Sequence, residues 1–108
     1  MTTNVLITLC TCPSEAVAEH IAATLVAERL AACVNQLGGV RSTYLWQGEV
    51  TRDAETLLLI KTTGARFDAL SVRLRELHPY ELPEIIAVPV DRGLPEFLQW
   101  VNTCTERA

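Results

Sequence analysis

The run from Val5 to Thr11 is apolar and rich in β-branched residues, and it stops at Pro13, which is the pattern of a short strand. A helical rhythm follows. Pro13 suits the first helical position and Glu15 the first turn, Val17, Ile21 and Leu25 recur every fourth residue, and Val26 and Leu30 add a second ridge. From Cys33 the period changes again. Val34 to Trp46 reads as a long strand with a bulge or bend at Gly38-Gly39, and Gln47-Gly48 is a tight hairpin turn. The return strand runs through Glu55 to Thr63, and its centre, Leu57 to Ile60, is apolar on both faces. A second helix after Gly64 places Phe67, Leu70, Leu74 and Leu77 on one side and Arg66, Arg73, Arg75 and Glu76 on the other. It ends at His78-Pro79. Ile85 to Val90 is a fourth strand, and Pro89, lacking an N–H, puts it at a sheet edge or a bulge. After a turn at Asp91 to Gly93, Pro95 starts a last helix with Leu94, Phe97, Leu98 and Val101 on its apolar side, and Thr105 to Ala108 form a polar tail.

Strand, helix, strand, strand, helix, strand is the ferredoxin-like α+β order, βαββαβ, with an antiparallel sheet and here an extra C-terminal helix, in one domain spanning residues 1–108. Right-handed crossovers put the first two helices on the same sheet face. The other face has only the short last helix to cover it. Strands 3 and 4 are nevertheless apolar on both sides, and strand 1 is expected to direct Leu6, Cys10 and Cys12 to the uncovered side. The expectation is a homo-oligomer built on that face, and a monomeric mass in sedimentation would count against it.

Composition narrows the function. Hydrophobic residues make up 49% of the 108, high for a small chain, which agrees with a covered face. Nine basic against thirteen acidic residues leave a net charge of -4 with no basic cluster, so nucleic acid is not an expected partner. No apolar run reaches the roughly 20 residues of a membrane span, and Met1 to Asn4 lack the basic region of a signal peptide. A cytoplasmic protein with four free thiols, Cys10, Cys12, Cys33 and Cys104, is expected. Cys10 and Cys12 project in parallel from an extended strand and are poorly placed to bond to each other.

The chemistry-bearing residues fall in two groups. Soft thiolates favour Cu(I) or Zn, and the thiols of Cys10 and Cys12 precede a helix N-terminus that lowers thiol pKa. A buried Cys is also a small core residue, and no Cys-x-x-Cys pair is present. His78, in the proline-framed stretch His78 to Ile85, is a candidate metal ligand or proton-transfer group, and equally a partner for the end of the second helix. His20, beside Glu19, reads as a solvated helix residue. The second group is Tyr44 and Trp46 on one strand face, Tyr80 and Glu84 in the loop, and Glu55 and Lys61 at either end of strand 3. A pocket rimmed by these would suit a small ligand, and a subunit interface enriched in Trp and Tyr is the other reading. A Gly-x-Ser-x-Gly elbow and a phosphate loop are both lacking, no motif specifies a reaction, and no enzymatic activity is expected.

Leu30-Ala-Ala-Cys-Val34, Tyr44-x-Trp46-x-Gly48, Glu55, Lys61-Thr62, His78-Pro-Tyr-x-x-Pro-Glu-Ile85 and Trp100, in this order, resemble the CutA divalent-cation tolerance family over nearly the whole chain from Val5 to Val101. The resemblance implies a ferredoxin-like homotrimer similar to PII signalling proteins, with the strand 2 and strand 3 hairpins helping to join subunits. It also implies a link to tolerance of copper or another divalent metal as the bound cofactor, without an enzymatic reaction. Of the copper ligands suggested for bacterial relatives, a strand 1 cysteine matches Cys10, and the second histidine of a His-His pair before Pro-Tyr matches His78. The first histidine of that pair is Leu77 here, and Cys12 offers a thiol instead.

Overall fold

In the computed structural model, which describes residues 3–106, β1 (Val5–Cys12), β2 (Cys33–Trp46), β3 (Glu49–Thr63) and β4 (Ile86–Pro89) form one antiparallel sheet in the order β2-β3-β1-β4. The helices are α1 (Glu15–Ala27), α2 (Gly64–Leu77) and α3 (Pro95–Thr105). This is the ferredoxin-like α+β arrangement with an added helix. β4 is an edge strand, as Pro89 requires.

The β2–β3 hairpin holds two local devices. Between Leu37 and Val40 the register slips by one residue, and Gly39 takes φ +77 there, a left-handed conformation with little penalty for a residue without a Cβ. At the tip, Gln47 and Gly48 both have positive φ, 49 and 82, which matches the right-handed twist of the flanking strands.

α1 begins at Glu15, two residues beyond the expected start. Ser14 is extended and its side chain accepts a hydrogen bond from the Val17 N–H at 3.2 Å, satisfying one of the free donors of the first turn, so Pro13 stays in the connection. Ser14→Ala should lower unfolding stability by about 1 kcal/mol; an unchanged chemical-denaturation midpoint would show that the cap contributes nothing.

The main core lies between the sheet and α1 and α2. Ile21 and Leu25 of α1, Leu70 and Leu74 of α2, and Leu58 and Ile60 of β3 meet there with no exposed surface. Cys10 and Cys12 belong to the same cluster, which corrects the expectation that they occupy the uncovered side. The cause is register. Cys10 pairs with Leu58 and Thr8 with Ile60, and paired residues share a face, so the even-numbered positions of β1 look toward the helices.

The opposite face is bare over most of its length, but with other residues than expected. Ile7 and Leu9 of β1, paired with Lys61 and Leu59 of β3 and with Val88 and Ile86 of β4, lie on it, and Ile86 and Val88 are exposed. α3 covers only one end, where Val101 meets Val5 and Ala32. Leu94 and Phe97, expected on the packed side of α3, are exposed, whereas Thr105, expected in the polar tail, is buried in the helix and donates to the Val101 carbonyl at 2.9 Å. A short helix over a sheet end has room for a narrow buried stripe only, and here that stripe is Val101 and Thr105, with Leu98 partly buried beside it. Met1, Thr2, Arg107 and Ala108 lie outside the described residues.

Candidate metal and ligand sites

Pro79 restricts the residue before it to extended geometry, and His78 accordingly has φ -82 and ψ 134, ending α2 while its N–H still donates to the Leu74 carbonyl. That turn directs the imidazole toward the end of β1. Nε2 lies 2.8 Å from the Thr11 carbonyl oxygen, and the Tyr80 N–H donates to Nδ1 at 3.1 Å. A carbonyl oxygen can only accept, so Nε2 carries the proton and Nδ1 the lone pair. Both ring nitrogens are therefore satisfied, and the ring is buried.

β1 brings the two thiols to the same place, because residues two apart on a strand project to one side. The sulfurs of Cys10 and Cys12 and a ring nitrogen of His78 all lie within 4.8 Å of one another, with both cysteines fully buried. The thiols interact with each other. The neighbouring Cys12 thiol first, then burial and the nearby charges of Glu84 and Glu55, push the Cys10 pKa well above the ordinary thiol range. The adjacent Cys10 thiol lowers the Cys12 pKa against the effect of its burial. A proton leaving this pair would therefore leave Cys12 before Cys10. The Cys10 S–H donates to the Thr11 carbonyl at 3.8 Å, a long and weak hydrogen bond.

Next to this cluster is a cavity of about 790 Å³ between the β2–β3 hairpin and the loop after α2. Tyr44, Trp46, Glu55, Tyr80 and Glu84 all line it. The Tyr80 hydroxyl donates to Glu55 Oε2 at 2.8 Å, and the Tyr44 hydroxyl donates to Asp53 Oδ2. Burial first, then the hydrogen bond to Glu55 and the charge there, push the Tyr80 phenol up. The bond to Asp53 does the same for Tyr44. The Tyr80 ring also sits 4.7 Å, centroid to centroid, from the His78 imidazole, so the cavity and the thiol cluster share a wall.

A sequence model of the CutA1 divalent ion tolerance proteins matches residues 6–104. The chain belongs to the CutA1 family. Among its curated relatives, the divalent-cation tolerance protein CutA of Thermus thermophilus is 52% identical over 99 residues, which are 92% of this chain and 96% of the relative. The crystal structure of CutA from Xylella fastidiosa superposes with a TM-score of 0.94 at 51% identity, covering 96% of this chain and all of that one. A third relative, from Archaeoglobus fulgidus and described as a periplasmic divalent cation tolerance protein CutA, has a TM-score of 0.92 at 34% identity, over 94% of this chain and 99% of that one.

In this CutA1-family chain the residues singled out in the sequence fall into four places. Cys10, Cys12 and His78 converge, and five of the six aromatic and charged residues share the cavity. Lys61 does not. It pairs with Cys33 and Ile7 on the bare face, and its carbonyl accepts from the Ala32 N–H. His20 is exposed on α1 and stands apart from both groups. Sequence reasoning missed Asp53 and the Thr11 carbonyl. Asp53 was recoverable in principle, since the hairpin register pairs it with Ser42, diagonal to Tyr44. The role of a backbone carbonyl leaves no mark in a sequence.

Proposed function

We propose that this divalent-cation tolerance family member is a non-enzymatic, cytosolic homotrimer that takes up copper as Cu(I) at Cys10, Cys12 and His78 and serves metal homeostasis in the manner of a PII-like binding protein. The convergence of two thiols and an imidazole within 4.8 Å carries this reading. Soft sulfur donors suit Cu(I), which accepts low coordination numbers, and the Cys10 thiol proton would be released on binding. Cys10 and Cys12 would hold the ion. His78 would complete the set by giving up its hydrogen bond to the Thr11 carbonyl or to the Tyr80 N–H.

Shape and surface support assembly. The accessible surface is 6780 Å², against about 6,000 Å² for a compact monomer of this mass. The radius of gyration is 14.4 Å, against about 13 Å for a compact chain of this length. The projecting hairpin and the bare apolar face account for the excess, and both would be covered by neighbouring copies. The cytosolic placement rests on the free thiols of Cys10, Cys12, Cys33 and Cys104, which fit a reducing compartment; the Archaeoglobus relative is described as periplasmic.

Titrating the reduced protein with Cu(I) under competition with a chelator tests the metal site. One tightly bound copper per chain is expected, and no binding above the level of denatured protein would sink it. A second reading has its own observation. The thiols are packed in the core and both imidazole nitrogens already have partners, as in a purely structural scaffold. That reading predicts full trimer assembly and no specific copper.

A further inference from the structure

The cavity between the hairpin and the loop after α2 is large enough for a small molecule, and its lining has a consistent chemical bias. Tyr44, Trp46 and Tyr80 contribute three aromatic rings, Glu55, Glu81 and Glu84 contribute three carboxylates, and among the described residues no Lys, Arg or His lines it. Aromatic faces attract cations through their quadrupole, and carboxylates exclude anions. Tyr44 and Trp46 are 39% and 41% exposed in the single chain, so their rings belong to the cavity wall rather than to the core of this chain, and in a trimer a neighbouring copy would border the same cavity.

Glu55 is the decisive group. Its side chain lines the cavity while the residue is only 8% exposed. Oε2 accepts from Tyr80, and Oε1 has no hydrogen-bond partner among the described residues. That free oxygen faces the cavity as an acceptor, which a positive or donating group in the cavity would meet. A bare divalent ion is a poor match, because among the described residues the cavity carboxylates do not converge as ligands in the way that Cys10, Cys12 and His78 do. A diffuse charge with an apolar coat fits better.

We infer that this cavity binds a small organic cation, an alkylammonium or guanidinium compound, with its charge against Glu55 and its carbon surface against Tyr44, Trp46 and Tyr80. The inference rests on reading the cavity as a ligand pocket and does not depend on copper at the neighbouring thiols. It also differs from filling of the cavity by a basic side chain of a neighbouring copy, which would leave no room for a free ligand.

The wild-type protein is titrated with choline, with agmatine, with the neutral isostere of choline in which carbon replaces the ammonium nitrogen, and with butyrate, followed by ligand-observed proton NMR and calorimetry. At least one of the two cations should bind. Choline should bind at least about tenfold more tightly than its isostere if it is that cation, and butyrate should not bind. Glu55→Gln, which keeps an acceptor for Tyr80, should weaken the cation about tenfold and leave circular dichroism and assembly unchanged. Trp46→Leu should weaken it as well. If none of the four compounds binds, the cavity is not a ligand pocket and the inference falls with that reading. If the isostere or butyrate binds as tightly as the cations, the pocket stands and the cation class is wrong. Cation binding that both variants leave intact lies elsewhere on the surface and overturns the assignment.

Discussion

A Leu59→Lys chain should sediment as a monomer at micromolar concentration, where the wild type is expected to sediment as the proposed trimer. Leu59 lies near the middle of the bare sheet face, paired with Leu9 on one side and Asn35 on the other. By strand alternation Leu57 and Lys61 are its neighbours on the same side. An ammonium placed there would lie between Leu57 and Leu9 and beside a second lysine, Lys61. Leaving an unpaired charge in a closed apolar contact costs about 3 to 5 kcal/mol, and at 1.4 kcal/mol per factor of ten that is at least about a hundredfold in association. The helix-side core of Leu58, Ile60, Ile21 and Leu70 is untouched, so far-UV circular dichroism should be retained. A wild type that is itself monomeric, or a variant that assembles normally, would remove this face from the subunit contact. Ile86→Lys, at the exposed edge of the same row, supplies an independent check.

The joint Cys10→Ser and Cys12→Ser variant should lose at least about a hundredfold in Cu(I) affinity, more than changes around a metal's ligands usually cost. A serine hydroxyl is a hard donor that stays protonated at neutral pH, so the substitution removes both soft ligands while nearly keeping their size. Cys33 and Cys104 are also free thiols, only partly buried, so the measurement belongs in a background where both are serine. His78→Ala should have the smaller effect, about tenfold, because the imidazole must leave one existing partner before it can ligate. The sign of the pH dependence follows from the thiol pair. Cys10 keeps its proton well above the usual thiol range, so copper must displace that proton, and affinity should rise with pH, about tenfold per unit for each proton released. Affinity independent of pH, or unchanged in the double serine variant, would leave the cluster as packing alone.

These two experiments probe opposite sides of one strand. β1 carries Cys10 and Cys12 toward the helices and Ile7 and Leu9 toward the bare face, so the thiol cluster and the bare face are one strand thickness apart. The cavity adjoins both. Thr11 lines it while its carbonyl holds His78, and the Tyr80 N–H holds the other ring nitrogen. A change in the hydrogen bonds of His78 is therefore felt first at the cavity wall.

Much of the fold was legible in the chain because it is written in local rules. The glycine bulge at Gly38-Gly39, the Gln47-Gly48 turn, the edge position demanded by Pro89 and the end of α2 at His78-Pro79 each follow from what one or two residues allow the backbone to do. The family pattern and the order of elements added the ferredoxin-like topology. The start of α1 was misplaced because Pro13 and Ser14 are both good helix openers, and only the extended backbone of Ser14, with its bond to the Val17 N–H, separates them.

What the sequence by itself determined, then, is the succession of strands and helices, the presence of an uncovered apolar face, and the residue types able to bind metal or ligand. Which side of β1 faces the helices was decided by tertiary structure, because both sides are apolar and only pairing with Leu58 and Ile60 breaks the tie. The meeting of His78 with Cys10 and Cys12, and the exclusion of Lys61 from the cavity that holds Glu55, were decided there too. Contacts between residues some 67 positions apart in the chain, as His78 is from Thr11, depend on where a crossover helix ends against the sheet, and no local rule in the chain encodes that.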